Sequence, residues 1–230
     1  MSNPHTVRAY DQELAALSEI LTQVGHFVVD AFTAASKALL HKDLLAAQEA
    51  IQIDSQIDEL CAQADKDILL LMTKRQPMSQ DLQEILAAMR STNEFSHIGD
   101  LACNIAERST QLQSPTAPER LYQGLETLSM MLSDFLSRVS LAYASKDISE
   151  LTELCQVDKL VDNAYAQILD VIIIGLANHP DRTSDLTHLL FCIKNMDRIG
   201  DHISHIAQTR YLALTGALPE HIKHSAPPKS

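Results

Sequence analysis

Tryptophan is absent from this 230-residue chain, and its aromatic side chains are five phenylalanines and five tyrosines. So thin an aromatic supply, with few β-branched clusters, argues against a sheet-based core. Glycine occurs six times, and neither GxxxxGK[ST] nor GxGxxG is present, which removes the usual nucleotide-cradling loops. The four cysteines, Cys61, Cys103, Cys155 and Cys192, lie far apart without a CxxC, so a zinc ribbon and a disulfide framework are both excluded and buried reduced thiols are expected. Positive charge is scarce too. Eighteen basic against thirty acidic residues give a formal charge of -12, which opposes a polyphosphate backbone and removes DNA and RNA as partners. The longest apolar run, Ile168 to Ala177, is interrupted by Asp170 and falls well short of the ~20 residues that span a bilayer. The first twenty residues alternate polar and apolar positions without the layout of a signal peptide, so a cytoplasmic, non-membrane-spanning protein is expected.

Hydrophobic residues make up 46% of the chain, dominated by alanine, leucine and isoleucine, which is a helical composition. Leu14, Leu17, Ile20, Leu21, Val24, Val28, Ala31, Ala35 and Leu39 recur at steps of three and four, predicting a helix from about Tyr10 to Leu40. Similar spacing predicts helices from Asp43 to Lys74, stopped by Pro77, and from Ser79 to Gln111. The segment Ser114-Pro-Thr-Ala-Pro118 punctuates the middle of the chain, and the order then repeats with helices over Glu119–Ser145, Asp147–Asn178 and Thr183–Leu214. The expected fold is all-α, two tandem three-helix bundles joined end to side. Residues 1–113 form the first, residues 114–216 the second, and residues 217–230 a disordered tail.

An acidic pattern repeats with this architecture. Asp54-Ser-Gln-Ile-Asp58 returns 104 residues later as Asp158-Lys-Leu-Val-Asp162, and Ser96-His-Ile-Gly-Asp100 returns 101 residues later as Asp197-Arg-Ile-Gly-Asp201. Carboxylates four apart share a helix face and repel by a few tenths of a kcal/mol, so a repeated pair invites a functional explanation. If consecutive helices run antiparallel, Asp54 and Asp58 face Asp100, while Asp158 and Asp162 face Asp197 and Asp201. Such clusters offer hard oxygen ligands suited to magnesium, manganese, calcium or oxidised iron; solvated surface charge is the plainer alternative. Gly99 and Gly200 precede the last aspartate of each copy inside helical pattern, where glycine costs about 1 kcal/mol against alanine, so close helix approach or access to an ion is expected there.

These residues, together with Arg75-Gln-Pro77, Asp81-Leu82, Asn104-Ile-Ala106 and Ile206-Ala207, give a chain that resembles the PhoU family over nearly its whole length. The resemblance implies metal-binding acids at Asp54, Asp58, Asp100, Asp158, Asp162, Asp197 and Asp201, with iron, manganese, magnesium or zinc as the ion. It also implies a non-catalytic regulator of phosphate uptake and phosphate-starvation signalling. The implied partners are the ATPase of the phosphate ABC transporter (PstB-like), a PhoR-type histidine kinase, and a second copy in a homodimer. Where the family has Glu-Arg-Ile-Gly-Asp, this chain has Ser96-His97-Ile98-Gly99-Asp100, which weakens the first cluster by one carboxylate. Asn104 and His205, one turn beyond Asp100 and Asp201, are candidate supporting ligands.

Two rivals stand beside that expectation. Glu94-Phe-Ser-His97 is an ExxH of the kind that di-iron carboxylate oxidases carry, although Asn195-Met-Asp-Arg198 lacks it in the second copy. The other rival is a metal-free helical adaptor.

Overall fold

A computed structural model describes residues 4–75, 80–112, 119–219 and 222. They form α1 (Pro4–His41), α2 (Leu44–Arg75), α3 (Gln80–Ser109), α4 (Glu119–Ser145), α5 (Ile148–Leu154), α6 (Asp158–Asn178) and α7 (Thr183–Thr215), with a 3₁₀ turn at Pro180–Arg182. α1 to α3 make one three-helix group, and α4, α5 with α6, and α7 make the second. The expected stop at Pro77, start at Ser79, boundary at Ser114–Pro118 and most of the tail lie outside the described residues.

The apolar stripe read from the sequence faces inward in α1, where Leu17, Leu21, Val24, Val28, Ala31, Ala35 and Leu39 are all buried. Each first helix ends in the same way. Lys42 (φ 53) and Lys146 (φ 60) take the left-handed conformation, which costs an L-residue roughly 1–2 kcal/mol. The next residue caps the following helix: Asp43 Oδ1 accepts from the backbone N–H of Leu45 and Ala46, and Asp147 Oδ1 from that of Glu150. Lys42-Asp43 and Lys146-Asp147 are 104 residues apart, the offset already seen between the aspartate pairs. The last helix stops at Gly216, whose φ of 78 suits glycine.

Two features differ from the sequence expectation. The single helix predicted over Asp147–Asn178 breaks at residues 155–157. Side chains of α7 take up the backbone groups that the break leaves unpaired. Gln208 Nε2 donates to the Cys155 carbonyl at 3.0 Å, and the N–H of Asp158 donates to Ser204 Oγ at 3.2 Å. Arg138 of α4 holds α5 through Glu150 (2.5 Å) and Glu153 (2.9 Å). The stretch Ile148–Asn178 contains an 18-residue window apolar enough by composition to cross a membrane, with a mean hydropathy of 1.5. Here it is broken, and α6 packs on α4 and α7 with Val161, Ile168, Ile172 and Gly175 buried.

The second difference is the joint. Instead of meeting end to side, the two groups lie side by side, α1 on α4 and α3 on α7, over one continuous hydrophobic core. Phe95 of α3 meets Tyr143 of α4 edge to face at 6.2 Å, and Ser140 Oγ donates to the Gly25 carbonyl at 3.3 Å. At one end of this seam the buried Arg210 of α7 donates to Glu84 of α3 and to the Tyr143 carbonyl, its guanidinium 4.5 Å from the Tyr143 ring.

Candidate functional site

Gly99 and Gly200 set the distance between the helices that carry the acids. A Cβ built on Gly99 would lie 2.8 Å from Asp54 Oδ1 and 3.1 Å from Ile57 Cδ1, and one on Gly200 would lie 2.9 Å from three carbons of Val161. Both glycines therefore allow close approach, of α3 to α2 and of α7 to α6. Gly200→Ala is expected to destabilise by about 1–2 kcal/mol, because overpacking against a stiff β-branched neighbour outweighs the helix-propensity gain. Gly175→Ala, which meets only the tip of Leu186 at 3.1 Å, is the control expected to be near neutral. Thermal melting of the two variants checks the difference.

In the first group, Asp54 is half-buried and its Oδ1 has no hydrogen-bond partner among the described residues. Burial first, then the charges of Asp58 and Asp100, push its pKa up to about 6. Cys103 and Glu107 of α3 also face it: the Cys103 thiol hydrogen-bonds the carboxylate and is itself pushed up to about 12 by burial and the surrounding acids. Neither residue belongs to the repeated acidic motif, and neither was expected at the site. Their spacing of three and seven from Asp100, on one helix face, was the available signal. Ser96 offers only a neutral hydroxyl at the position of the missing acid.

The second group repeats the arrangement with more charge. Asp158 Oδ1 is likewise buried without a partner. Asp162 has its pKa raised by burial, then by a hydrogen bond with Asp197 and by the charges of Asp197, Asp201 and Asp158. Burial and Asp197 raise Asp201 as well. Asp197 is buried and its Oδ2 lies 2.5 Å from Lys194 Nζ, so part of the negative charge is already offset. Asp54 thus feels the charges of Asp58 and Asp100, and Asp162 and Asp201 those of Asp158 and Asp197, while the ligand atoms that converge within 4.8 Å among the described residues are those of Glu94, His202 and His205.

The two proposed supporting ligands go elsewhere. The Asn104 amide donates to the Asp100 carbonyl at 2.8 Å, a bond within its own helix turn. His205 turns to Glu94, with Nδ1 3.6 Å from Oε2. Glu94 also pairs with His202, whose Nδ1 is 2.5 Å from the same oxygen, and these three residues could hold a metal ion, their ligand atoms all within 4.8 Å of one another. Burial opposes the charge on Glu94, but the two imidazoles outweigh it and hold the carboxyl at about 2. The neighbouring Glu94 carboxylate raises the His205 pKa. Glu94 therefore serves the seam between α3 and α7.

An all-helical tandem repeat, with a carboxylate cluster carried between the second and third helical segments of each copy, is the class of molecule these residues build. The PhoU domain model matches twice, over residues 21–109 and 125–209. This chain belongs to the PhoU family. It is 32% identical over 220 residues to the phosphate-specific transport system accessory protein PhoU homologue of Rhizobium meliloti, covering 96% of this chain and 93% of that one. The homologue from Zymomonas mobilis is 30% identical, covering 94% and 91%. The crystal structure of PhoU from Pseudomonas aeruginosa superimposes with a TM-score of 0.86 at 25% identity, over 90% of this chain and all of that one. Membership makes this chain a non-catalytic regulator in phosphate signalling rather than an enzyme, which removes the di-iron oxidase reading.

Proposed function

We propose that this protein acts in the cytoplasm as a homodimeric negative regulator of phosphate uptake and phosphate-starvation signalling. It works by contact with the ATPase of a phosphate ABC transporter and with a PhoR-type histidine kinase. The observation that carries this reading is the match, over nearly the full length of both chains, to accessory proteins named for the phosphate-specific transport system. The molecule suits contact work, since its helices present long continuous faces, the longest of them 38 residues.

The two aspartate clusters are proposed to bind hard cations, drawn from iron, manganese, magnesium or zinc. Asp54, Asp58 and Asp100 would hold the first site, and Asp158, Asp162, Asp197 and Asp201 the second. Two features support such an ion: Asp54 Oδ1 and Asp158 Oδ1 are buried acceptors without donors among the described residues, and each lies within the field of further carboxylates whose repulsion a cation would offset. A bound cation would supply positive charge that fixes the spacing of the two helices at each cluster. Sequence 217–230 is proposed as a separate tail, and residues 113 and 114 as the boundary between the two repeats.

A clean deletion strain tests the regulatory reading. Reporter expression from phosphate-starvation promoters is expected to stay high in phosphate-rich medium and to be restored to repression by the intact gene. Normal repression in the deletion strain overturns it.

A further inference from the structure

We propose that Glu94, His202 and His205 bind one borderline divalent cation of the zinc class across the seam between α3 and α7. This site adjoins the aspartate clusters and differs from them in chemistry. Its donors are two imidazoles and one carboxylate, a mixed nitrogen and oxygen set that selects zinc-like ions, whereas the clusters offer oxygen alone apart from one thiol.

Three observations converge on it. His202 and His205 stand three apart on α7 and present one face to α3, where Glu94 meets both at 2.5 and 3.6 Å. Zinc held by oxygen and nitrogen at ~2.0–2.1 Å in a tetrahedron separates its ligands by roughly 3.3 Å. The His205 separation is already close to that, and the His202 contact needs to open by less than about 1 Å when the metal replaces the shared proton. Second, Glu94 has no lysine or arginine partner among the described residues, so its charge is met only by groups that can themselves ligate. Third, the surroundings favour a cation: Asp201 and Asp158 both act on His205, and His97, 5.4 Å from the His202 ring, leads on to Asp100 at 3.8 Å. His205 is solvent-facing, which gives an ion an entry path and leaves the remaining coordination position to water.

The consequence is mechanical. Glu94 belongs to the first helical group and the two histidines to the second, so an ion here ties the groups together midway along α3 and α7.

Full-length protein stripped by chelator and dialysed tests this by titration with Zn²⁺, followed by calorimetry, and with Co²⁺, followed by visible d–d absorption. The intact chain is expected to bind zinc at this site and give the intense cobalt bands of a four-coordinate site with nitrogen ligands. His202→Gln and His205→Gln should each weaken zinc binding about tenfold or more and abolish those bands, since even indirect supporting groups are worth 10–100-fold. The Asp54→Asn/Asp158→Asn double variant should keep the cobalt bands, which oxygen-only clusters do not give. If His202→Gln fails to fold by far-ultraviolet circular dichroism, His205→Gln decides, its side chain being 56% exposed. Absence of zinc binding in the intact chain, unchanged binding in a folded histidine variant, or loss of the cobalt bands in the double aspartate variant each overturns the proposal. The last result would place the ion in the aspartate clusters.

Discussion

Glu84→Gln is expected to lower the stability of the folded protein by about 2–4 kcal/mol at pH 7. Removing one partner of a buried ion pair typically costs 3–5 kcal/mol, and the lower figure allows for Glu84 being 24% exposed. Its partner Arg210 has a side chain only 3% exposed and cannot lose its proton, so the variant strands a full charge beside Tyr143. Burial works against the Glu84 charge, but Arg210 and then Lys146 outweigh it and hold the carboxyl below its ordinary value of 4.5. A depressed carboxyl contributes stability that is complete above its unfolded value and is lost as pH falls through the folded one. The gap between the native chain and Glu84→Gln should therefore be full at pH 7 and narrow on acidification below 4.5. Urea unfolding at several pH values measures this. A compensated Glu84→Leu/Arg210→Met variant should lose less than the sum of the singles, because neither charge is left alone. Equal stability of Glu84→Gln and the native chain at pH 7 would mean that Arg210 is served by the Tyr143 carbonyl alone.

The second large effect is a reversal of sign. In chelator, Asp54→Asn and Asp158→Asn are each expected to be about 1 kcal/mol more stable than the native chain, because each removes a carboxylate from a crowd of like charges. For Asp54 the pH window follows from its raised pKa. The unfolded chain ionises near 3.8 and the folded one only near 6, so the native protein loses stability as pH rises through that interval, and the asparagine variant does not. With a hard divalent ion in excess the order should invert. A ligand confined to the folded state adds about 2.7 kcal/mol at a hundred times its Kd, and the variants forgo that gain at the mutated cluster. Melting curves in chelator and in manganese settle it. Variants that stay more stable than the native chain in manganese, magnesium, iron and zinc would leave the clusters as surface charge and favour the adaptor reading.

Those aspartates were visible in the sequence because their spacing is local. Four residues apart on one helix, and repeated at 104 residues, they need only helical periodicity to be grouped. Local signals also placed most helix ends: the expected Glu119–Ser145 is the observed α4, and Asp43 and Asp147 cap the helices they were expected to begin. The break at residues 155–157 was hidden because Leu151, Leu154, Val157 and Val161 continue an apolar pattern across it, and the groups that favour the break, Ser204 and Gln208, come from another helix. The same is true of Glu94. An ExxH was legible beside it, but its partners lie 108 and more residues away on α7, and no spacing rule connects residues whose meeting depends on how two helical groups dock. Cys103 and Glu107 fall between these cases, on the expected face yet overlooked because neither belongs to the repeated motif.

The pairing of α1 with α4 and of α3 with α7 sets each helix against its own counterpart in the repeat, as the subunits of a two-fold dimer would meet. In a true dimer of identical halves, any substitution at such an interface appears twice, and both copies must be tolerated. Fusion into one chain lifts that constraint. Asn195 stands where the first copy has Glu94, and Leu101 and Asn104 stand where the second has His202 and His205. The seam thus carries its histidine and carboxylate contact once, on one side only, a polarity that two identical subunits could not have acquired without duplicating it.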